Sequence, residues 1–286
     1  MSDAEYDFTF NKCFPPEMGQ SEMYEAIRPV ALSVLTGVNA CLLAYGSTGS
    51  GKTFTMDGPE SGRNEVNAGV YTRTISNLLQ LSAENYGEKE YVFFLRMVEL
   101  YKTNVVDLLD PDGGLIEVVN HEISATPIGF TTLDEFDAAA EIARGNRTVA
   151  AHTHNPVSSR SHLIIHIEVR SVPLGGSFSN PDEITISSLQ MVDLAGSEGA
   201  SAYEGLVGSA LIERQEEGKH IRASLLALGN VMRKLASSDK KVGALDILMP
   251  RRDACRLPLL AYRTYYAFFI RILTYYSPFS LLRSRA

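Results

Sequence analysis

Residues 42–58 read LLAYGSTGSGKTFTMDG. An apolar run ends at Tyr45, three glycines follow within six positions, and Lys52 and Thr53 come directly after the last of them. The eight residues Gly46, Ser47, Thr48, Gly49, Ser50, Gly51, Lys52 and Thr53 fit the pattern G-x-x-x-x-G-K-[ST]. Glycines at these places let backbone N–H groups turn inward around phosphate oxygens, and the helix that follows adds its positive end. In that arrangement Lys52 reaches the β- and γ-phosphates and the Thr53 hydroxyl ligates Mg2+. A merely flexible loop is the competing reading. The strand-like run before the loop and the helix-like run after it favour phosphate.

The chain on either side alternates strands with helices. The stretch 6–10 (YDFTF) alternates like a short strand, and 20–37 reads as a helix closed by Gly37, with Pro29 an irregularity inside it. Residues 39–45 are a buried strand, 70–82 have helical spacing, and 90–101 form a long strand. At 132–146, Thr132 and Glu135 stand in capping-box spacing, which predicts a helix start. The stretch 161–171 sets Leu163, Ile165, Ile167 and Val169 against polar partners, which predicts a half-exposed strand. After a turn at 175–182, residues 183–194 return as a strand into the core. Interleaving of this kind predicts a single three-layer α/β domain over 1–286, with a central mostly parallel sheet and helices on both faces.

Two further stretches belong with the phosphate loop. In MVDLAGSEG (191–199), Asp193 ends a buried strand and offers an acidic residue near a metal, and Gly196 allows a backbone N–H close to phosphate. An Asp-capped turn is the plainer reading of the same residues. In NPVSSRSH (155–162), Ser158 and Ser159 offer hydroxyls to a metal and a water, and Arg160 offers a cation to a carboxylate. Taken alone, such a segment is an ordinary polar loop.

Taken together, AYGSTGSGKTFTM, NPVSSRSH and DLAGSE, in this order and spacing, resemble the kinesin motor domain. DFTFNKCF with QSEMY resembles the family's approach to its first helix, and SLLALGNVM (224–232) resembles the helix after the second switch. The resemblance covers about 6–236, with 237–286 divergent. It implies an ATPase of the P-loop type that binds Mg-ATP and microtubules and works at the cytoskeleton in the cytoplasm. It also implies that Thr53, Ser159 and Asp193 serve the Mg2+ and that Ser158 and Ser159 close over metal and water. Gly196 would then sense the γ-phosphate, and Arg160 and Glu198 would form a salt bridge between the two switches. The choice of ATP over GTP rests on the resemblance alone.

The sequence also departs from the family. Ser47 replaces the usual Gln, and Lys102-Thr103 replaces Asn-Glu. HIRASL (220–225) replaces N-I-N-K-S-L in the helix that normally faces the microtubule, and Cys255 stands where a microtubule-facing lysine belongs. The family's first strand with its adenine-holding R-x-R-P segment, and its closing helix and neck linker, find no counterpart, so the family resemblance is incomplete at both ends. These departures leave open a second reading, a non-motile nucleotide-binding module that docks on microtubules or another partner.

Composition sets outer limits. Residues 1–213 carry 12 Lys/Arg against 29 Asp/Glu (−17), whereas 214–286 carry 14 against 5 (+9), within a net charge of −8. That polarity fits either a C-terminal part that faces an acidic partner or a helix and tail with solvated basic faces. Neither nucleic acid nor a membrane is expected as a partner. Residues 264–282 are apolar enough to raise a membrane span, but Arg271 and Pro278 argue against it. Cys13, Cys41 and Cys255 show no paired or metal-ligand spacing, which fits a reduced compartment, and the acidic N-terminus is no signal peptide. His152, His154 and His166 are expected at the surface, while His162 completes the second polar loop.

Overall fold

The structure, a computed structural model, describes residues 12–15, 17–59, 64–111, 114–116, 118–119, 122–154, 160–197 and 208–237. The expected strand at 6–10, the loop residues Ser158 and Ser159, Glu198 and everything after Ser237 lie outside them.

Helix α1 (Gln20–Leu32) buries Met23, Tyr24, Ile27 and Ala31, three or four residues apart, so one stripe faces inward. A 3-10 turn (Ser33–Thr36) tightens its end, and Gly37 stops it with φ 89°, a conformation that glycine adopts without steric cost. Strand β1 (Ala40–Ala44) follows, then the glycine loop, then the short helix α2 (Lys52–Asp57). Helix α3 (Val70–Ala83) starts at Gly69, whose missing side chain matters. A Cβ there would lie 2.6 Å from the backbone of Met56, Asp57 and Gly58, so only glycine lets α3 begin against the end of α2.

Strand β2 (Lys89–Tyr101) turns through Lys102-Thr103 into β3 (Asn104–Asp107), and the two short strands β4 (Leu115–Ile116) and β7 (Ile128–Phe130) complete that end of the sheet. Two residues each, β5 (Val118–Val119) and β6 (Glu122–Ile123) form a separate ribbon. Helix α4 (Leu133–His154) is followed by β8 (His162–Pro173), β9 (Thr185–Asp193) and the long helix α5 (Gly208–Ser237). The main sheet runs β1-β9-β8-β2-β3-β4, with β7 also on β2.

The fold is α/β, and the sheet is mixed. Only the β1–β9 pair is parallel among the described strands; β9–β8, β8–β2, β2–β3, β2–β7 and β3–β4 are antiparallel. Connection length explains the difference from the mostly parallel expectation. The β8–β9 and β2–β3 links are turns, too short for the crossover that parallel neighbours need. Strands β1 and β9 are far apart in sequence, and helices intervene.

Both faces of the sheet are covered. On one, Leu95, Met97, Ile165, Ile167, Leu189 and Met191 meet α1, α3 and α4 through Ile27, Ile75, Leu78 and Phe136. On the other, Cys41, Leu43, Val98, Ile164 and Val192 meet Leu225 and Leu228 of α5. Strand β8 is therefore not half-exposed along its length. It lies between β9 and β2, and His162, Ile164 and His166 are buried on the second face; Glu168 and Arg170 are the partly exposed positions there. His166, expected at the surface, is 8% exposed beside Arg96, and burial followed by that positive charge pushes its pKa down to about 4.

Candidate nucleotide-binding site

The register of the one parallel pair sets Ala44 beside Asp193, so the glycine loop and the loop after β9 leave the sheet at the same edge. The two are joined by backbone bonds: Leu194 N–H donates to Ala44 O at 3.3 Å and Ser197 N–H to Gly46 O at 3.1 Å. A Cβ at Gly46 would lie 2.5 Å from Ser50 Oγ, so a side chain there would force that hydroxyl to turn away. Gly51 has φ 90°, a left-handed turn that aims Lys52 back over the loop. Lys52 is buried, and its Nζ donates to Gly46 O at 3.0 Å and Ser47 O at 2.9 Å. Its charge therefore sits inside the curl of the loop.

Thr53 and Asp193, 140 residues apart, meet directly: Thr53 Oγ1 donates to Asp193 Oδ2 at 2.6 Å. Asp193 is 2% exposed, and its second oxygen, Oδ1, is buried without a hydrogen-bond partner in the structure. Burial raises its carboxyl above the ordinary carboxylate range, while the Thr53 hydroxyl and the charges of Arg147 and Lys52 act in the opposite sense. A buried carboxylate oxygen left unpaired costs free energy unless a cation or an ordered water meets it. A hydroxyl, a carboxylate with one oxygen unpartnered and an adjacent lysine form the donor set that a hydrated Mg2+ and a polyphosphate require. The residues present fit the group.

Arg160 lies two residues before β8, and its Nη1 pairs with Glu217 Oε2 of α5 at 3.0 Å. Glu217 also accepts from the Tyr101 hydroxyl and is 1% exposed. Its role was not legible in the sequence, because nothing in the spacing of QEEGKH (215–220) separates Glu217 from Glu216. Glu198, the partner expected for Arg160, lies outside the described residues, as do Ser158 and Ser159. Gly196 is buried between Ala195 and Ser197.

A second buried network escaped the sequence reading. Glu99 Oε1 of β2 accepts from Arg147 Nε of α4 at 3.0 Å and from Ser161 Oγ at 2.5 Å. Arg147 Nη2 also reaches Ser161 Oγ at 3.2 Å, so α4 and the segment entering β8 are fixed to the sheet just behind Asp193. A cavity of about 50 Å3 opens there, lined by Thr53, Asp193, Arg144 and Arg147 and floored by apolar side chains. Arg144 closes one side through Asp57, at 3.1 Å.

The loop, the Thr53–Asp193 contact and the strand that carries them define a P-loop nucleotide-binding protein. A family model for the kinesin motor domain matches residues 1–249. The chain is 35% identical over 250 residues to the kinesin-like protein KIN-14P of Arabidopsis thaliana, covering 84% of this chain and 23% of that protein. It is 38% identical over 237 residues to KIN-14K of the same plant, covering 82% of this chain and 22% of the relative. The chain thus spans less than a quarter of the length of these relatives. Among solved structures it resembles one of a fast kinesin, with a TM-score of 0.69, 28% identity and cover of 84% of this chain and 67% of the other. It also resembles the motor domain of the Kar3-like kinesin from Ashbya gossypii, with a TM-score of 0.58, 27% identity and cover of 78% and 64%. The chain belongs to the kinesin motor domain family.

Proposed function

We propose that this chain binds and hydrolyses Mg-ATP and couples that cycle to microtubule binding and microtubule-based movement, as one motor unit across 1–286 working on the cytoskeleton in the cytoplasm. Family membership supports the class, since kinesin motor domains are in general P-loop ATPases that act on microtubules. The observation that carries the reading is Thr53 bonded to Asp193 beside Lys52, with a buried carboxylate oxygen still unpartnered.

Bound Mg-ATP supplies the transferable γ-phosphoryl group and a cation that neutralises its oxygens. The residues of this chain position and shield it. Lys52 leaves the carbonyls of Gly46 and Ser47 for the β- and γ-phosphates, exchanging neutral acceptors for charged ones. Thr53, Ser159 and Asp193 would hold the metal, which would supply charge neutralisation at the phosphate oxygens. Gly46 to Gly51 cradle the phosphates, and Gly196 presents its N–H to the γ-phosphate. Ser158 and Ser159 orient the attacking water, and Arg160 with Glu198 closes the shell that excludes bulk solvent. Because Arg160 is paired with the buried Glu217 here, closing the shell requires Arg160 to leave that carboxylate for Glu198.

The outward side of α5 carries exposed Lys219 and Arg222, while Glu217, Ser224 and Leu228 point inward. Exposed cations on this helix support its use against an acidic surface. The deciding experiment is steady-state ATPase with and without microtubules. Stimulation by microtubules is the expected result. Basal hydrolysis with no stimulation leaves only a nucleotide-binding module, and absence of both removes the reading.

A further inference from the structure

His162 links three elements that are distant in sequence. Its Nδ1 accepts from the backbone N–H of Ala195 at 3.1 Å, and its Nε2 lies 2.9 Å from Ser224 Oγ of α5. An imidazole nitrogen that accepts from an amide carries no proton, so the ring proton is on Nε2 and is donated to Ser224. Ser224 Oγ passes its own proton on, donating to Ile221 O at 2.8 Å. The chain of donors runs from the loop after β9, through β8, into α5, and His162, Ala195 and Ser224 are all buried.

The neighbouring contact has matching geometry. Arg160 and His162 are two residues apart in the segment entering β8, and both side chains reach α5. Their partners Glu217 and Ser224 are seven apart, two helical turns along one face of α5. Residues 160–162 therefore lie along α5 and grip it at two points.

His162 is not an acid or base in this setting. Burial, then the charges of Arg147 and Lys52, depress its pKa to about 4, and both nitrogens are already engaged. A neutral ring locked in one tautomer transmits position rather than protons.

We propose that His162 is a positioning residue that ties the backbone beside Gly196 to helix α5, so that nucleotide occupancy resets the docking of α5 through the Ala195–His162–Ser224 chain. The proposal rests on the nucleotide-binding reading above. Ala195 immediately precedes Gly196, the residue placed against the γ-phosphate. Moving that N–H toward a ligand turns the adjacent amide, and His162 cannot compensate by taking up a proton. The ring must follow the loop or lose it, and either event alters the bond that Ser224 receives within α5.

The test uses the whole chain with Ser224→Ala, which removes the helix end of the relay, and Ser224→Thr, which keeps a hydroxyl. Titration with a fluorescent, non-hydrolysable Mg-ATP analogue comes first. Amide hydrogen exchange across 208–237 is then measured with and without it. In the wild type the analogue should change exchange in α5 by about fivefold, the scale of one buried hydrogen bond. Ser224→Ala should bind the analogue within about twofold of wild type yet lose most of that change, and Ser224→Thr should restore it. An α5 response in Ser224→Ala equal to wild type overturns the proposal, as does wild-type binding without any response in α5. Failure of the wild type to bind the analogue overturns the nucleotide reading itself and is seen before any exchange is measured. The His162 ring 15N resonances give a readout that needs no variant: they should show a protonated Nε2 and a bare Nδ1 that shift on analogue binding. Ring resonances that stay fixed on binding also overturn the proposal.

Discussion

Lys52 donates to two carbonyls of its own loop at 2.9 and 3.0 Å, so its charge sits inside the curl of the loop proposed to hold phosphate. Removing it as Lys52→Ala should weaken Mg-nucleotide binding about a hundredfold, the upper end for hydrogen bonds to a charged group, as read by fluorescent-nucleotide titration. Unchanged affinity would remove the phosphate-loop assignment. The gathering of these residues was legible because each lies in a short local pattern: Lys52 and Thr53 in the glycine spacing, Asp193 at the end of an apolar strand. Glu217 and Arg147 were not, since their partners are distant in sequence and no local spacing marks them. His166 shows the same limit, because alternation along β8 cannot say that a neighbouring helix and strands cover both faces. Its burial makes a pH prediction. The folded pKa of about 4 lies below the ordinary 6.5, as does that of His162, so the unfolded chain takes up protons first as pH falls. The stability these neutral rings contribute is complete above about 6.5 and is lost progressively as pH falls toward 4, by about 2 kcal/mol each at pH 5. His166 Nδ1 has no hydrogen-bond partner, so His166→Leu should flatten the fall in thermal midpoint between pH 6.5 and 5. A variant with the wild-type slope would place the titration elsewhere.

At the scale of the elements, the helices expected at 20–37, 70–82 and 132–146 are α1 with its 3-10 end, α3 and the first part of α4. Their starts and stops were written in chemistry that acts within one turn. Glu135 N–H donates to Thr132 Oγ1 at 3.2 Å, and Thr132 N–H returns to Glu135 Oε2 at 3.2 Å, the reciprocal pair that the spacing predicts. Thr132→Ala should therefore lower stability by about 1 kcal/mol, seen as a lower urea midpoint with an unchanged slope. A midpoint equal to wild type would mean that α4 is held by Phe136 and its packing alone. The far ends of α4 and α5 were less legible. Helix α4 continues to His154, past the expected end at 146, and α5 begins at Gly208, upstream of the stretch 224–232 that the sequence marked as helix. Strand direction was the least legible feature. Each strand's residues report which faces are buried, but parallel or antiparallel pairing is decided by the connections, and those here are mostly turns.

Across the whole molecule, charge is divided as structure is. The first 213 residues carry −17, and the phosphate side lies among them with Asp193 at the end of β9. The remaining 73 carry +9, beginning within α5, whose outward residues Lys219 and Arg222 are exposed while Glu217 is turned inward to Arg160. Helix α5 thus presents cations to solvent on one side and touches the switch segment on the other. A partner with an acidic surface, as microtubules have, would meet the first side, and its binding would be felt at the second. Exposed charges act over a Debye length of about 8 Å at physiological ionic strength, so such binding must weaken as salt is added. We expect co-sedimentation with microtubules at low salt that falls steeply between about 50 and 200 mM, where the Debye length shortens from about 14 to about 7 Å. Reversing Lys240 and Lys241, which follow α5 in sequence, to glutamate should weaken that binding about tenfold further while leaving Mg-nucleotide affinity as it was. The two readouts separate the surfaces. A loss of nucleotide affinity in this double variant would mean that the reversal disturbs the phosphate side through α5. Binding indifferent to both salt and reversal would mean that the basic C-terminal region is not the microtubule-facing side of this motor domain.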